Sequence, residues 1–483
     1  MMVDSPEHAD AAALGRWILS WVQASGAIHG FANHSVWGGH PATVGDDWCG
    51  HSTFASPLLP ALAEAAARQP APAALERLET AIAFQCESRQ ADGQFAHVGF
   101  QVGERVQRGL VHTVVPAAAL CEAVAVAGAR LSAPLIERVE RTVREVLEAS
   151  ESIYGEGASG KTVANQEAIR LAARLQHMAV FDHAAWDNRV RADLAFLAEH
   201  FHVPGVPDGE SAGCLRSMPN PDALEPAEYY GLIIKPLVLA GRRYGAPEYL
   251  DQAMRLARHV VRSAWADPQG RRRVHRTWRR LGGAWTRVCE PMLLAGIGLT
   301  LEAIADLLTD RPDAECEAFL TGMERTYARA QSPAGMLLAA TGWRGEQDII
   351  PATAWQSHDL LYLLRRHGVP DNFEAAIEAP DPRAAAVLGH HMLWLETDRH
   401  WALDGPETLQ RLRLRGRKDH PHFELMLSAW VAGGPPDPAM VMENPPRFFA
   451  TDDRIVHVGG REDLALLNAS GLAYEGPGEC GGL

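Results

Sequence analysis

One spacing constrains this chain more than any other feature. Polar or aromatic clusters recur at the starts of long apolar runs: His51-Ser52, His112-Thr113, Asn165-Gln166-Glu167, Tyr229-Tyr230, Arg287 with Glu290, and Gln356 with His358. Measured from 51 to 112, 165, 229, 290 and 358, the steps are 61, 53, 64, 61 and 68 residues. Each step is the length of two helices and their loops, a unit that buries its apolar faces only by stacking on its neighbours. Six such pairs closing on themselves make a ring, with one cluster per inner helix facing a common cleft.

Periodicity separates the two members of each pair. Segments near 8–23, 72–88, 132–150, 187–201, 247–265 and 312–331 are amphipathic, as in Leu135, Ile136, Val139, Val143, Val146 and Leu147, and predict an outer ring. Segments near 52–68, 110–127, 160–180, 226–243, 287–308 and 351–366 are apolar on every face, the pattern of helices enclosed by other helices, and predict an inner ring. Gly241 to Pro247 and Gly368-Val369-Pro370 supply stop signals. From about 383 short alternating runs such as 409–414 and 454–458 lie between turn residues and predict strands. The expected fold is mainly α: an (α/α)6 toroid over 1–380, followed by a small β-rich C-terminal region over 381–483.

With 483 residues, the chain can wall a deep pocket on all sides. A formal charge of −15 argues against a general nucleic-acid or anionic-membrane binder, which needs a dominant positive field. The seven cysteines, at 49, 86, 121, 214, 289, 316 and 480, form no CxxC pair and read as reduced thiols. Neither a secretion signal nor an uninterrupted apolar run of membrane-spanning length is legible, so a cytoplasmic chain is expected, with oligomerisation left open.

Several residues carry chemistry at the predicted mouth. Asn165, Gln166 and Glu167 would be costly to bury without partners, so they require either a hydrogen-bond network or a ligand. A helix cap is the plain alternative. The glycine-rich stretch before them matches the phosphate-loop pattern from Gly155 to Thr162, but no strand precedes it, and that motif needs one. Tyr229 and Tyr230 could donate a proton or simply pack as aromatics. The run 271–280, with Arg273, His275, Arg276 and Trp278, is the most basic in the chain; its guanidinium forks suit a carboxylate or sulfate, and indoles stack on sugar faces. The alternative is a solvated loop with arginines paired to surface acids. Among 21 histidines, His112, His183, His275 and His358 stand at helix starts or in connections, where proton transfer is feasible. No HExxH motif occurs, and no metal or cofactor is expected.

With these residues in place, the chain resembles the (α/α)-toroid carbohydrate-active enzymes, and more loosely the heparinase-type and alginate-lyase-type polysaccharide lyases, whose toroid is followed by a β-sheet domain. Ala164-Asn165-Gln166-Glu167 and Glu228-Tyr229-Tyr230-Gly231 stand where such lyases carry an Asn-His pair and a Tyr-Asn-Gly-like stretch. The resemblance implies that Asn165 neutralises a uronate carboxylate while Tyr229 acts on the C5 proton or the leaving oxygen. Gln166 replaces the family's His, so a base would come from His112, His183 or His358. Tyr230, Arg273, His275, Arg276, Trp278, Arg287 and Gln356 would contact an anionic carbohydrate. A glycoside hydrolase on the same toroid, for example a glucuronidase, would instead need two carboxyl groups roughly 5 to 10 Å apart. Glu167, Glu228, Glu290 and Asp348 are its candidates. A non-catalytic helical-repeat binding protein is the third reading.

Overall fold

The structure is a computed structural model. It describes residues 8–378 apart from connecting stretches, the longest of them 30–47 and 201–223, and beyond these only 447–450 and 455–458.

The helices in chain order are α1 (Ala11–Leu19), α2 (Leu58–Arg68), α3 (Pro72–Glu87), α4 (Leu110–Ala127), α5 (Ala133–Tyr154), α6 (Ala164–Phe181) and α7 (Asp187–His200). They continue as α8 (Tyr230–Tyr244), α9 (Pro247–Ser263), α10 (Gly298–Leu308), α11 (Ala314–Ala330), α12 (Gln356–His367) and α13 (Phe373–Glu378). Helix α2 packs on α4, α4 on α6, α6 on α8, α8 on α10, α10 on α12, and α12 back on α2. That sequence of contacts closes an inner ring of six. Helices α3, α5, α7, α9 and α11 each pack on the inner helix before them, and α1 packs on α12, which completes an (α/α)6 toroid. Each of the twelve expected segments contains a helix with the expected inner or outer placement.

The apolar stripes decide that placement. On α5, Val139, Val143, Val146 and Leu147 are fully buried, and the charged residues occupy the opposite face. Helix α4 is long and apolar enough to cross a membrane by length and composition, contrary to the expectation from sequence, but 78% of that stretch is buried inside the ring. Where inner helices approach most closely, glycine makes room. A Cβ on Gly231 of α8 would lie 2.2 Å from the Leu299 carbonyl oxygen, and one on Gly298 of α10 would lie 2.5 Å from the Asp359 Cα.

The described strands form two-stranded antiparallel pairs: β1 (Ile28–His29) with β2 (Trp48–Cys49), β3 (His97–Val102) with β4 (Arg105–Gln107), and β5 (Trp265–Ala266) with β6 (Arg272–Arg273). The others are β7 (Thr277–Leu281) with β8 (Ala284–Val288), β9 (Ala340–Thr341) with β10 (Asp348–Ile349), and β11 (Arg447–Ala450) with β12 (Ile455–Val458). One expectation is corrected here. The fifth inner helix starts at Gly298, not near 287, because Leu281 pairs with Ala284 across Gly282-Gly283 and Arg287 pairs with Trp278 in a tight hairpin. The short helix α13, packed on α1 and α3, was not anticipated. Of the expected β-rich C-terminal region, the pair β11–β12 lies among the described residues, and the remainder lies outside them.

Candidate active site

The two faces of the toroid differ in their connections. Inner helices lead to the following helix through short links, 69–71, 128–132, 182–186, 245–246, 309–313 and 368–372. Outer helices lead back to inner ones through 20–57, 88–109, 155–163, 201–229, 264–297 and 331–355. Short links force each pair antiparallel, so all six inner helices run the same way and their N-termini share the face that carries the long connections. The strand pairs β1–β2 through β9–β10 all belong to that face. A rigid ring under long loops is where binding groups are usually gathered. The partial positive charge of six helix N-termini also converges there.

A cavity opens along the ring from this side. Its wall is apolar, with Val115, Ala119, Ile169, Leu232 and Leu361, and His358 from the first turn of α12 adds an imidazole. Its volume is about 40 Å³. That is room for a few waters or for the hydroxyl edge of one sugar ring.

Its floor belongs to a polar layer with one residue from each inner helix, Glu64, Glu122, Gln176, Lys235, Glu302 and Arg365, of which Glu122, Gln176, Lys235 and Glu302 line the cavity. The Lys235 ammonium donates to both Glu122 oxygens at 2.8 Å and lies 3.6 Å from Glu302. The Arg365 guanidinium donates to Glu64 at 3.0 Å, Glu122 at 2.6 Å and Glu302 at 2.5 Å. Burial opposes charge on these groups, but the mutual attraction wins. Lys235 and Arg365 hold the Glu122 carboxyl down at about 2, while Glu122 and Glu302 hold both cations above their ordinary values. Glu122, Lys235 and Arg365 therefore stay ionised across the physiological range.

The rim is ordered by contacts between helices. Asn165, buried at the start of α6, donates from Nδ2 to Glu225 Oε1 at 2.6 Å. A carboxylate only accepts, so this bond fixes which way the amide faces. Glu225 and Glu228 are both buried in the lead-in to α8. The Thr300 hydroxyl of α10 accepts from the Gly231 N–H at 2.8 Å and donates to the Ala227 carbonyl at 2.8 Å, which pins that lead-in. Tyr229 ends a 3₁₀ turn there and is half-buried. Asp359 of α12 accepts from the N–H groups of Gly296 and Gly298 at 2.9 and 2.8 Å and from the Tyr327 hydroxyl, capping α10 from its neighbour. Burial lifts its carboxyl to about 7 against the pull of these three donors.

The sequence-predicted residues separate on this geometry. Asn165, Tyr229 and His358 lie at the inner-helix N-termini, with His358 on the cavity wall. His112 is at the same level on α4, but burial pushes its imidazole down to about 3, so it stays neutral and is a weak proton acceptor at neutral pH. Glu167 faces elsewhere: it pairs with Arg170 at 2.6 Å, and Arg170 donates to the Gly155 carbonyl at 3.0 Å at the end of α5. This ties α6 to α5 and is structural. Tyr230 packs on His259 of α9, with ring centroids 5.3 Å apart, which turns it toward the outer layer. Its neighbour Tyr229, in the 3₁₀ turn before α8, is partly buried against the core. Gln356 accepts from the Leu337 N–H at 2.8 Å, a tie between connection and helix.

The basic stretch lies in the 264–297 connection, on the N-terminal face, with Arg273 on β6, Trp278 on β7 and Arg287 on β8. His275, Arg276 and Glu290 lie outside the described residues, as do His51, Ser52, His183 and most of the phosphate-loop match. That match follows α5 at Gly155, so the strand its pattern requires is absent from the described residues before it. Among the described residues no three His, Cys, Asp or Glu side chains stand together as a metal site. The floor was missed from sequence, yet it carried a signal. A polar residue recurs within the inner-helix runs at 64, 122, 176, 235, 302 and 365, at steps of 58, 54, 59, 67 and 63.

No protein-family model matches the chain, and no curated protein matches it. Among solved structures it is similar to a sugar epimerase from a ruminal bacterium, at 10% identity over 66% of this chain and 88% of that one, with a TM-score of 0.47. It is also similar to a polysaccharide lyase, at 13% identity over 66% and 92%, with a TM-score of 0.44. A third is a family 88 glycosyl hydrolase from Bacteroides vulgatus, at 10% identity over 66% and 93%, with a TM-score of 0.44. The assignment of the toroid stands on the closed ring of helix contacts, and the choice of chemistry on the residues of this chain.

Proposed function

We propose that the chain is a carbohydrate-active enzyme that cleaves a uronic-acid-containing oligo- or polysaccharide by β-elimination at the N-terminal face of the toroid. The observation that carries this reading is a coincidence of place. The six inner-helix N-termini, the arginine-rich connection before α10, and the Asn165, Tyr229 and His358 positions all belong to one face. Each helix end favours an anion by about 0.3–1 kcal/mol, so a carboxylate-bearing sugar is the ligand this face suits.

Elimination needs three things there. The uronate charge must be masked, which the second Nδ2 hydrogen of Asn165 can do while Glu225 holds the first. A base, Tyr229 or His358, removes the C5 proton; its electron pair forms the C4=C5 double bond as the C4–O bond breaks. The departing oxygen then takes a proton from the other of the two.

Hydrolysis is the second reading, favoured by two buried carboxyl groups in the lead-in to α8, Glu225 bonded to Asn165 and Glu228 three residues on. A panel of uronate glycans, followed by ultraviolet absorbance and product mass, decides between them. Elimination gives an absorbing unsaturated uronate with no added water. Products heavier by one water, with flat absorbance, would replace elimination by hydrolysis.

A further inference from the structure

The floor of the cavity bears on which part of a glycan is bound. Glu122 on α4 is bonded from Lys235 on α8 and from Arg365 on α12. These three helices alternate round the ring, so their side chains meet in its middle and block it. On every inner helix the other residues lining the cavity precede the floor residue, as Ile169 precedes Gln176 and His358 precedes Arg365, which places it on the N-terminal side of the block. A polymer cannot thread through such a ring.

The floor also presents an unused acceptor. Gln176 is 6% exposed and lines the cavity, and its Oε1 has no hydrogen-bond partner among the described residues, while Nε2 reaches Glu122 only at 3.4 Å. A hydroxyl is the group that an uncharged acceptor beside carboxylates and an ammonium would satisfy, because it can both donate and accept. The cations beside the floor are already held by Glu64, Glu122 and Glu302, so the floor is not built for a further carboxylate, whereas the rim gathers helix N-termini.

We infer that the cavity is a blind subsite for the terminal sugar of a glycan, with hydroxyls directed at Gln176 and the floor and the carboxylate held at the rim, so that the enzyme works on chain ends. This rests on the carbohydrate reading above. The polarity gradient along the axis orients the sugar, and the closed floor excludes internal residues of a long chain.

The experiment uses a defined oligouronate in two forms, one with free ends and one with bulky groups on both termini. The free-ended form should release end residues from the earliest time points, and the doubly capped form should be untouched. Gln176→Leu should keep the wild-type melting temperature and raise KM for the free-ended form about three- to tenfold, with kcat within about twofold, as expected for one lost hydrogen bond. Internal fragments at early times, equal cleavage of the capped form, or an unchanged KM in Gln176→Leu would overturn the chain-end inference and leave elimination standing. Products carrying an added water would remove elimination alone, since product sizes still report chain-end action. If neither form is cleaved, calorimetry with both decides: binding of only the free-ended form supports the subsite, and binding of neither overturns it.

Discussion

At the scale of single residues, the site is built from side chains whose partners lie far away in sequence. Asn165 and Glu225 are 60 residues apart, and Asp359 caps a helix that begins 61 residues before it. Asp359 gives a pH signature with a definite sign. Its folded value, about 7, lies above the ordinary carboxylate value of 3.8. The fold therefore binds this proton more tightly than the unfolded chain does. The associated stability is complete below about pH 4 and is lost as pH rises through 7. Thermal melts of wild type and Asp359→Asn should show the wild-type advantage shrinking between pH 5 and 8; a constant difference would contradict the buried, proton-binding carboxyl. The sequence made Asn165, Tyr229 and His358 legible because polar groups at the start of apolar runs need a reason to be there. It did not show that Glu167 is claimed by Arg170 or that Tyr230 turns to His259, because those contacts depend on which face of a helix meets which neighbour.

At the scale of elements, packing between inner helices is limited by backbone contact. The Gly298 Cα faces Asp359 so closely that an added Cβ would lie 2.5 Å from its Cα and 2.6 Å from its backbone nitrogen. Backbone cannot swing aside as a long side chain can. Gly298→Ala should therefore cost about 1–3 kcal/mol, read from the urea midpoint, the usual penalty for overpacking. An unchanged midpoint would show that α10 and α12 can separate freely. Helices were legible through their 3.6-residue periodicity, which the outer stripes carry strongly. The segment before Gly298 was misread because apolar and basic residues alternate ambiguously there, and the deciding signal was the Gly282-Gly283 pair between two five-residue runs. The six-residue α13 is too short for periodicity to register.

At the scale of the whole molecule, the repeat interval foretold ring closure, because helix pairs of near-constant length can bury their faces only by stacking. The same interval, applied to interior polar residues in place of helix starts, marks the polar floor. Together these features divide the toroid into a chemical face, with long connections and helix N-termini, and a plain face of short links. That division is most directly tested by comparing kcat/KM on a cleaved uronate substrate for Asn165→Ala, Tyr229→Phe and a control on the opposite face, Asp310→Ala. Asp310 lies in the 309–313 link and bonds Arg242. The first two should fall by about 10²-fold or more, the usual cost of losing a proton-transfer or charge-masking group, with folded-state circular dichroism retained; Asn165→Ala should also lower the melting temperature, because buried Glu225 loses the amide it accepts from. The control should stay within about twofold. Full activity in both Asn165→Ala and Tyr229→Phe would contradict the placement of the chemistry on the N-terminal face.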